Sequence, residues 1–500
     1  MKKHLIYSMT ALAVLLAGCS EDYLETSPTN QISEATIAGS LDNLYVALNG
    51  IHRKMVSQDL QVQGLGGEPG FIIAREAMGD DMTWQTNTWY QDAYLAWGTY
   101  KNTTSVYNYG MWDTYYKFIL NANKILEGLD VVKGSGFTSA SDQTQYNEIR
   151  GEALCIRAWA HFNLVQYYAP RYAAGTTNSQ PGVMYRTSSE VVNMARNTVE
   201  EVYQFVNADL DEAITLLDGY KANDINHYTQ KVAYGLKARV LLTQQNYPEA
   251  AQAAVNAINA AEADGHKMMT YDEVNNGFAN ISTATKDALY AALTLDDQTV
   301  YFYSFYAYMS WNFNASAIRQ GVKGISQSTY DLMSATDVRR SWWDPAGTAS
   351  VPASSYVRVP YQNRKFTART NANPVGDFAF MRLSEMYLTA AEAYARAGQD
   401  ADAKTYLQAF IAERDKSYTD LGNTGDALAE EVMTHRRIEL WGEGFRWFDL
   451  KRLNQTLNRT GSNFNVAFCG FLTKQPADEG WYFEIPQRES DFNDLIVKNY

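Results

Sequence analysis

Residues 431–452 read EVMTHRRIELWGEGFRWFDLKR. Ile438, Trp441, Phe445 and Phe448 fall three, four and three apart, which puts four large apolar side chains on one stripe of a helix and calls for a core to bury them. Arg436, Glu439, Glu443, Arg446, Asp449 and Arg452 alternate in sign, mostly at three-residue steps, so ion pairs can form along the helix surface. Gly442 and Gly444 each cost about 1 kcal/mol against alanine in a helix interior and predict a kink or a helix-to-helix junction. A catalytic reading needs a nucleophile, or a base with something to act on. This stretch supplies arginines, carboxylates and aromatics, and reads as scaffold with a rim of paired charges.

Upstream, helical spacing dominates the first half. LDNLYVALNGIHRKMV at 41–56 places Leu41, Leu44, Tyr45, Leu48 and Ile51 on one face. Residues 111–129 do so through Trp112, Tyr115, Ile119, Ala122 and Leu126, and GEALCIRAWAHFNLVQYYA at 151–169 packs Ala153, Ile156, Ala160 and Leu164. Two later segments resemble each other internally. A helix rich in alanine and leucine ends near Gln245, and Ala250 lies five residues on; in SEMYLTAAEAYARAGQDADAKTYLQAFI, Gly398 and Ala403 repeat that spacing. A helix, a turn and a second helix with small residues at the crossing describe a divergent tetratricopeptide-like unit. Between residues 265 and 377 the composition shifts to Asn, Gly, Ser, Thr and Pro with short aromatic or β-branched runs, predicting long loops and a few short strands. The predicted fold is mainly α, a tetratricopeptide-like scaffold carrying long irregular loops.

The chain of 500 residues is 20% charged and 46% hydrophobic, an ordinary globular balance. Its net charge is -14, and becomes -16 without residues 1–18, which hold Lys2 and Lys3 and no acid. Such acidity disfavours nucleic acid and anionic membrane faces as partners and favours neutral ligands. Lys2 and Lys3 precede an apolar run over residues 5–17, too short to span a bilayer, which reads as a signal peptide. The run closes on Leu16-Ala17-Gly18-Cys19, the pattern of a bacterial lipobox, making Cys19 the expected lipidation site and residues 19–40 an anchor and extended tether. Cys155 and Cys469 are then left, distant in sequence and expected as buried hydrophobes; no Cys/His spacing suggests zinc, and no metal or cofactor is expected.

Enzyme signatures are absent: there is no Gly-x-Ser-x-Gly, His-Glu-x-x-His, EF-hand loop or P-loop, and GLGGEPG at 64–70 has the wrong spacing for a dinucleotide fingerprint. His161, on an aromatic helix face, reads as a satisfied core residue. Asp80 and Asp81 could in principle serve a glycosidase, but adjacent side chains diverge, and capping or loop hydrogen bonding is the plainer role. Two stretches mix aromatics with amides and carboxylates. The first holds Asp80, Asp81, Trp84, Trp89, Tyr90, Trp97 and Asn102; the second holds Tyr306, Trp311 and Asn312. Flat aromatic faces receive the apolar faces of sugar rings while amides and carboxylates satisfy hydroxyls, so these ten are the candidate ligand contacts, with Trp84, Trp89, Trp97 and Trp311 foremost. The competing structural reading of the second stretch is that VYFYSFYAY alternates like a half-buried strand.

Several motifs together resemble the SusD/RagB family, the surface glycan-binding lipoproteins of Bacteroidetes. They are Arg436, Arg437, Glu439, Trp441, Glu443, Gly444, Arg446, Asp449 and Arg452; the stretch at 151–169; Arg382, Glu385 and Glu392 in the second repeat; and the closing Ile485, Pro486 and Glu489. Ser490 and Asp491 depart from the commonest continuation. Ser20, Glu21 and Asp22 resemble the acidic tag that exports such lipoproteins to the outer face of the outer membrane. The resemblance implies a helical region at 41–264 and a C-terminal region at 265–500 with its loop-rich insert, packed as one unit. It further implies a non-enzymatic lipoprotein on the cell exterior that delivers oligosaccharide to a SusC-like TonB-dependent transporter. A RagB-like peptide cargo is the alternative, and a glycoside hydrolase a third.

Overall fold

The structure is a computed structural model and describes residues 39–57, 60, 62–63, 65–84, 92–137, 139–276, 278, 286–296 and 304–500. The expected lipidation site Cys19 and the candidates Trp89 and Tyr90 lie outside these residues. The principal helices are α1 (Leu41–Lys54), α2 (Gly67–Met78), α3 (Val106–Gly134), α4 (Ala140–Tyr168), α5 (Val199–Leu216), α6 (Gln230–Thr243), α7 (Tyr247–Ala263), α8 (Leu383–Arg396), α9 (Asp400–Ala412), α10 (Gly425–Glu439) and α11 (Arg446–Arg452). Their starts are written in the sequence. Ser40 accepts from the Asn43 amide to cap α1, while Ser139 with Asp142 and Thr198 with Glu201 form reciprocal capping boxes on α4 and α5.

The helices pack as successive hairpins, α3 on α4, α4 on α5, α6 on α7, α7 on α8 and α8 on α9. Alanines at the crossings, Ala250, Ala254 and Ala257 on α7 and Ala390 and Ala393 on α8, are fully buried and let the backbones approach. The internal repeat is exact at its turns. Gln245 and Gly398 both adopt positive φ, at 61° and 75°. The next amide bonds back to Leu241 in one case and to Tyr394 in the other, and Ala250 and Ala403 open the following helices on Asn246 and Gln399. One apolar cluster runs from Leu41 in α1 to Ile485 near the C-terminus, and a smaller one fills the space among α8, α9 and α10.

Strands are short. β1 (Met82–Trp84), β3 (Lys323–Ile325), β5 (Gln362–Asn363) and β4 (Trp343–Asp344) form an antiparallel sheet in that order, with Trp84 opposite Lys323 and Trp343 opposite Asn363. β2 (Ala288–Ala292) pairs with β6 (Phe378–Arg382), which leads directly into α8. The alternating VYFYSFYAY stretch does not continue as a strand: Tyr306–Met309 is a helical turn. Its ring-lined interior face is fixed by Tyr306, whose hydroxyl donates to the Phe278 and Asp377 carbonyls.

The stretch at 431–452 breaks as its glycines predict. α10 ends at Glu439, Gly442 and Gly444 take φ of 79° and 83°, and α11 starts at Arg446. A Cβ on Gly442 would meet the Phe366 ring at 2.5 Å. The break also interrupts the predicted stripe. Ile438 and Trp441 are buried, Phe445 and Phe448 only partly, and Trp447 takes the fully buried place, against Trp97, Tyr167 and Phe483. No helix among the described residues is long and apolar enough to cross a membrane.

Candidate functional site

The loop leaving α2 carries Asp80 and Asp81, and the 431–452 stretch holds both. Arg446 donates to Asp80 at 2.7 Å through Nε, and Arg437 to Asp81 at 2.6 Å through Nη2. Thr329 Oγ1 also donates to Asp81, and the Trp441 indole donates to the Asp81 carbonyl. Burial works against ionisation of Asp80, but the Arg446 and Arg437 guanidiniums outweigh it and hold the carboxyl down at about 2. These two acids are therefore consumed as anchors for the loop that enters β1. Within the stretch Asp449 pairs with Arg452 three residues on along α11 and with Arg436 across the junction, while the other charges reach partners distant in sequence; these pairs are largely buried.

The same anchoring builds the small sheet, which carries Trp84 into the interior. Trp84 is 1% exposed and lies beneath the Lys323 ammonium. Trp97 is 2% exposed, donates its indole N–H to the Met78 carbonyl and packs edge-on against Trp447, Phe471 and Trp481. Tyr306 is likewise buried. Asp80, Asp81, Trp84, Trp97 and Tyr306, expected as candidate ligand contacts, are each enclosed by packing. Asn312 clamps backbone, donating to the Ala368 carbonyl and accepting from the Ala368 amide, both at 2.8 Å. Asn102 is exposed but sits in a turn, accepting from Thr104.

Trp311 differs. It is half-buried, its backbone N–H donates to the Phe366 carbonyl, and its indole N–H donates to Thr367 Oγ1 at 2.8 Å, which fixes the ring at the margin of the loop region. The Arg364 guanidinium lies over that ring with its central carbon 4.1 Å from the centroid. In the small sheet Trp84 Nε1, Trp343 Nε1 and Gln362 Oε1 are buried without partners, as are Arg319 Nε and the Nε and Nη2 of Arg364. Buried polar atoms are rarely left unpaired, and ordered water commonly completes such bonding. Arg364 had no signal in sequence, because a guanidinium beside a lysine in NRKF has no pattern that separates a stacked arginine from a solvated one.

Clefts also lie elsewhere. One of about 400 Å³ between α1 and α3 is lined by Ala47, Ile51, Ile125 and Val131 and lacks any aromatic ring. A second of about 280 Å³ carries Tyr109, Trp112 and Tyr116, with the Arg488 guanidinium laid over Tyr109.

The one group of metal-ligating side chains among the described residues is His52, Glu152 and His227, buried, with ligand atoms within 4.8 Å of one another. It is already closed by hydrogen bonds: Glu152 accepts from His52 at 2.9 Å, from His227 at 3.0 Å, from the Tyr228 amide and from the Tyr220 hydroxyl. Burial opposes the Glu152 charge, yet the bonds from His227 and His52 prevail and hold it at about 2. The group ties α1, α4 and the entry to α6 together. His161 is buried with both ring nitrogens engaged, by the Arg157 carbonyl and the Arg186 amide, and burial pushes it down to about 3.

Residues 22–242 match a family described as starch-binding and associating with the outer membrane, and residues 216–500 match the SusD family. A SusD-like protein of Formosa agariphila is 22% identical over 402 residues, covering 71% of this chain and 74% of its own length. Among solved structures, a putative sugar-binding protein of Bacteroides vulgatus superposes with a TM-score of 0.78 at 25% identity, over 92% of this chain and 98% of the other. A laminarin-binding SusD-like protein superposes with a TM-score of 0.65 at 18% identity, over the same shares. The SusD-family match alone covers more than half of the sequence, through the signature arginines, the second repeat and the C-terminus, and the chain belongs to the SusD family.

Proposed function

We propose that this chain is an oligosaccharide-binding lipoprotein of the outer membrane, anchored through Cys19, that presents its ligand to a SusC-like TonB-dependent transporter without cleaving it. The observation that carries the reading is Trp311: an aromatic ring held at the edge of a loop region by two hydrogen bonds, with an arginine on it and unpartnered polar atoms beside it, in a chain of the SusD family. A ring so fixed loses little entropy on taking a sugar face. The names of the relatives, one sugar-binding and one laminarin-binding, point the same way.

The acids argue for binding alone. A glycosidase needs one carboxyl that stays protonated to reach the leaving group and a second facing it. Asp80 and Asp81 are instead ion-paired to Arg446 and Arg437, with Asp80 held far below the range of a general acid.

Titration calorimetry of the full chain against plant, host and bacterial oligosaccharides, alongside mixed peptides, tests this reading. A saccharide is expected to bind and be recovered intact, with affinity lost in Trp311→Ala. Binding of peptides alone would replace the cargo. Affinity kept in Trp311→Ala but lost in Tyr109→Ala would move the site to the second cleft.

A further inference from the structure

The cleft of about 280 Å³ lies between the first half of α3, the loop at 186–191 and the C-terminal segment at 486–489. Tyr109, Trp112 and Tyr116 fall three and four residues apart, so one face of α3 supplies its rings. The walls are held without a ligand. The Tyr116 hydroxyl donates to the Met184 carbonyl at 3.0 Å, and the Trp112 indole to Glu489 at 3.3 Å. Asn123 donates to the Arg186 and Ser188 carbonyls, both at 3.0 Å, and Glu127 accepts from the Ser189 amide at 2.7 Å, which pins the loop to α3. A cleft so braced loses little conformational freedom on binding.

The polar lining is balanced. Lys117, Arg186 and Arg488 face Asp113, Glu190 and Glu489 in number, so the cleft carries no net charge. Lys117 is taken by Asp113 at 2.9 Å, Arg186 donates to the Val192 carbonyl at 3.0 Å, and Glu489 accepts from Trp112. What stays open is the Tyr109 hydroxyl, the Arg488 guanidinium and the Glu190 carboxylate, which are exposed or half-buried and take no hydrogen bond or ion pair from another side chain among the described residues. The Arg488 guanidinium rests on the Tyr109 ring, its central carbon 4.0 Å from the centroid. A donor, an acceptor and a hydroxyl able to act as both, set beside half-buried rings, suit a ligand that has an apolar face and a row of hydroxyls. Glu190 opposes an anion and Arg488 a cation. An aliphatic chain has its better match in the ring-free cleft between α1 and α3.

We propose that this cleft is a second saccharide contact, independent of Trp311, which takes a neutral sugar unit against Tyr109 and Tyr116 while Arg488 and Glu190 bond its hydroxyls. None of Trp311, Arg364 and Thr367 lines it. The inference rests on the saccharide-binding reading above and adds a second site to it. Ordering the exposed Arg488 and Glu190 side chains costs entropy, so this contact is the weaker of the two.

The test is calorimetry of the full chain with neutral trisaccharides, namely maltotriose, laminaritriose and mannotriose, and with peptides as the comparison. It is run on the parent, Trp311→Ala, Tyr109→Ala, Glu190→Gln and the Trp311→Ala variants that also carry Tyr109→Ala or Glu190→Gln. Two binding events are expected for at least one trisaccharide in the parent, with the weaker one surviving in Trp311→Ala. Adding Tyr109→Ala or Glu190→Gln to that variant should weaken the surviving event roughly tenfold, the scale of one hydrogen bond to a charged group. The stronger event should persist in Tyr109→Ala and in Glu190→Gln. Glu190 lies exposed on a loop, so its variant reports the contact without disturbing the fold. No binding left in Trp311→Ala would overturn the second contact and leave saccharide binding standing. A surviving event indifferent to Tyr109 and Glu190 would remove it from this cleft, and one confined to sulfated or uronate-bearing sugars added to the panel would overturn the neutral ligand. Full affinity in Trp311→Ala with all binding lost in Tyr109→Ala would make the cleft the sole site and overturn the two-site proposal. Peptides bound with no saccharide bound would overturn the saccharide reading and this inference with it.

Discussion

Lys451 sits on α11 where no carboxylate reaches it, 6% exposed, with Nζ donating to the Gln166 and Ala169 carbonyls at 2.5 and 2.7 Å. Burial drives its pKa well below the ordinary lysine value. The two acceptors are orphan carbonyls at the C-terminal end of α4, where a helix 29 residues long presents the negative end of its dipole. Lys365 does the same for α10, donating to the Glu439 and Trp441 carbonyls as well as to Glu443. Lys451→Met keeps most of the packing and strands the α4 carbonyls, so a loss of about 1–3 kcal/mol in denaturant unfolding is expected; an unchanged midpoint would mean the lysine caps nothing. In the sequence these lysines were indistinguishable from surface ones, since the carbonyls they serve are 74 to 285 residues away. Trp311 was legible as a candidate from its neighbours' composition, whereas Trp84 and Trp97 had the same composition around them and went inside. What separates them is the β1–β3 pairing and the packing of Trp447, neither of which leaves a local mark.

At the scale of elements, residues 431–452 are two helices and a glycine junction that fasten three other parts of the chain. Glu439 accepts from Arg414 and Arg382, Glu443 from Arg382 and Lys365, and Arg437 and Arg446 hold the loop after α2. Removing one partner of such a buried pair leaves the other charge uncompensated. Arg446→Ala, which abandons Asp80, is therefore expected to cost about 3–5 kcal/mol, read as a lowered melting temperature, with ligand preference unchanged in the folded fraction. Stability retained with binding lost would instead place Arg446 in the ligand site. Gly442→Ala should also destabilise, by about 1–3 kcal/mol, since it combines a positive φ with a Cβ driven into Phe366. The junction was legible because glycine pairs in an otherwise periodic helix have few other uses. The apolar stripe was misread beyond the junction, because a turn of the chain there resets the helical phase and substitutes Trp447 for Phe445 and Phe448. The repeat turns at Gln245 and Gly398 were legible from spacing alone, since the positive-φ position recurs wherever two such helices must fold back.

The whole molecule's stability should fall at both the acid and the alkaline end. Asp80 and Glu152 are held at about 2, below their unfolded values of 3.8 and 4.5, so what they contribute is present above those values and lost as pH falls through the folded ones. Two groups act in the opposite sense. Glu76, buried near Asp81, is pushed up by burial to about 8 although it accepts the Gly444 amide; stability tied to its protonated form is complete below 4.5 and lost as pH rises towards 8. His227 is raised above 6.5, its bond to Glu152 prevailing over burial, and its contribution is likewise lost at higher pH. Glu76→Gln keeps the acceptor and removes the charge, so the variant should melt like the parent at pH 5 and above it at pH 8; parallel curves would exclude Glu76 as the source of the alkaline loss. None of these shifts is visible in the sequence, because they arise from burial against partners on other elements. The helical scaffold and the family were visible, since helix caps, repeat spacing and the signature arginines are local. The central claim, that a saccharide is held uncleaved on the Trp311 surface, is tested most directly by calorimetry of the parent and Trp311→Ala with one array-selected oligosaccharide, followed by chromatography of the recovered ligand. The account predicts intact saccharide and a loss of affinity of about tenfold or more in the variant. Equal affinities, or shortened saccharide recovered from the parent, would contradict it.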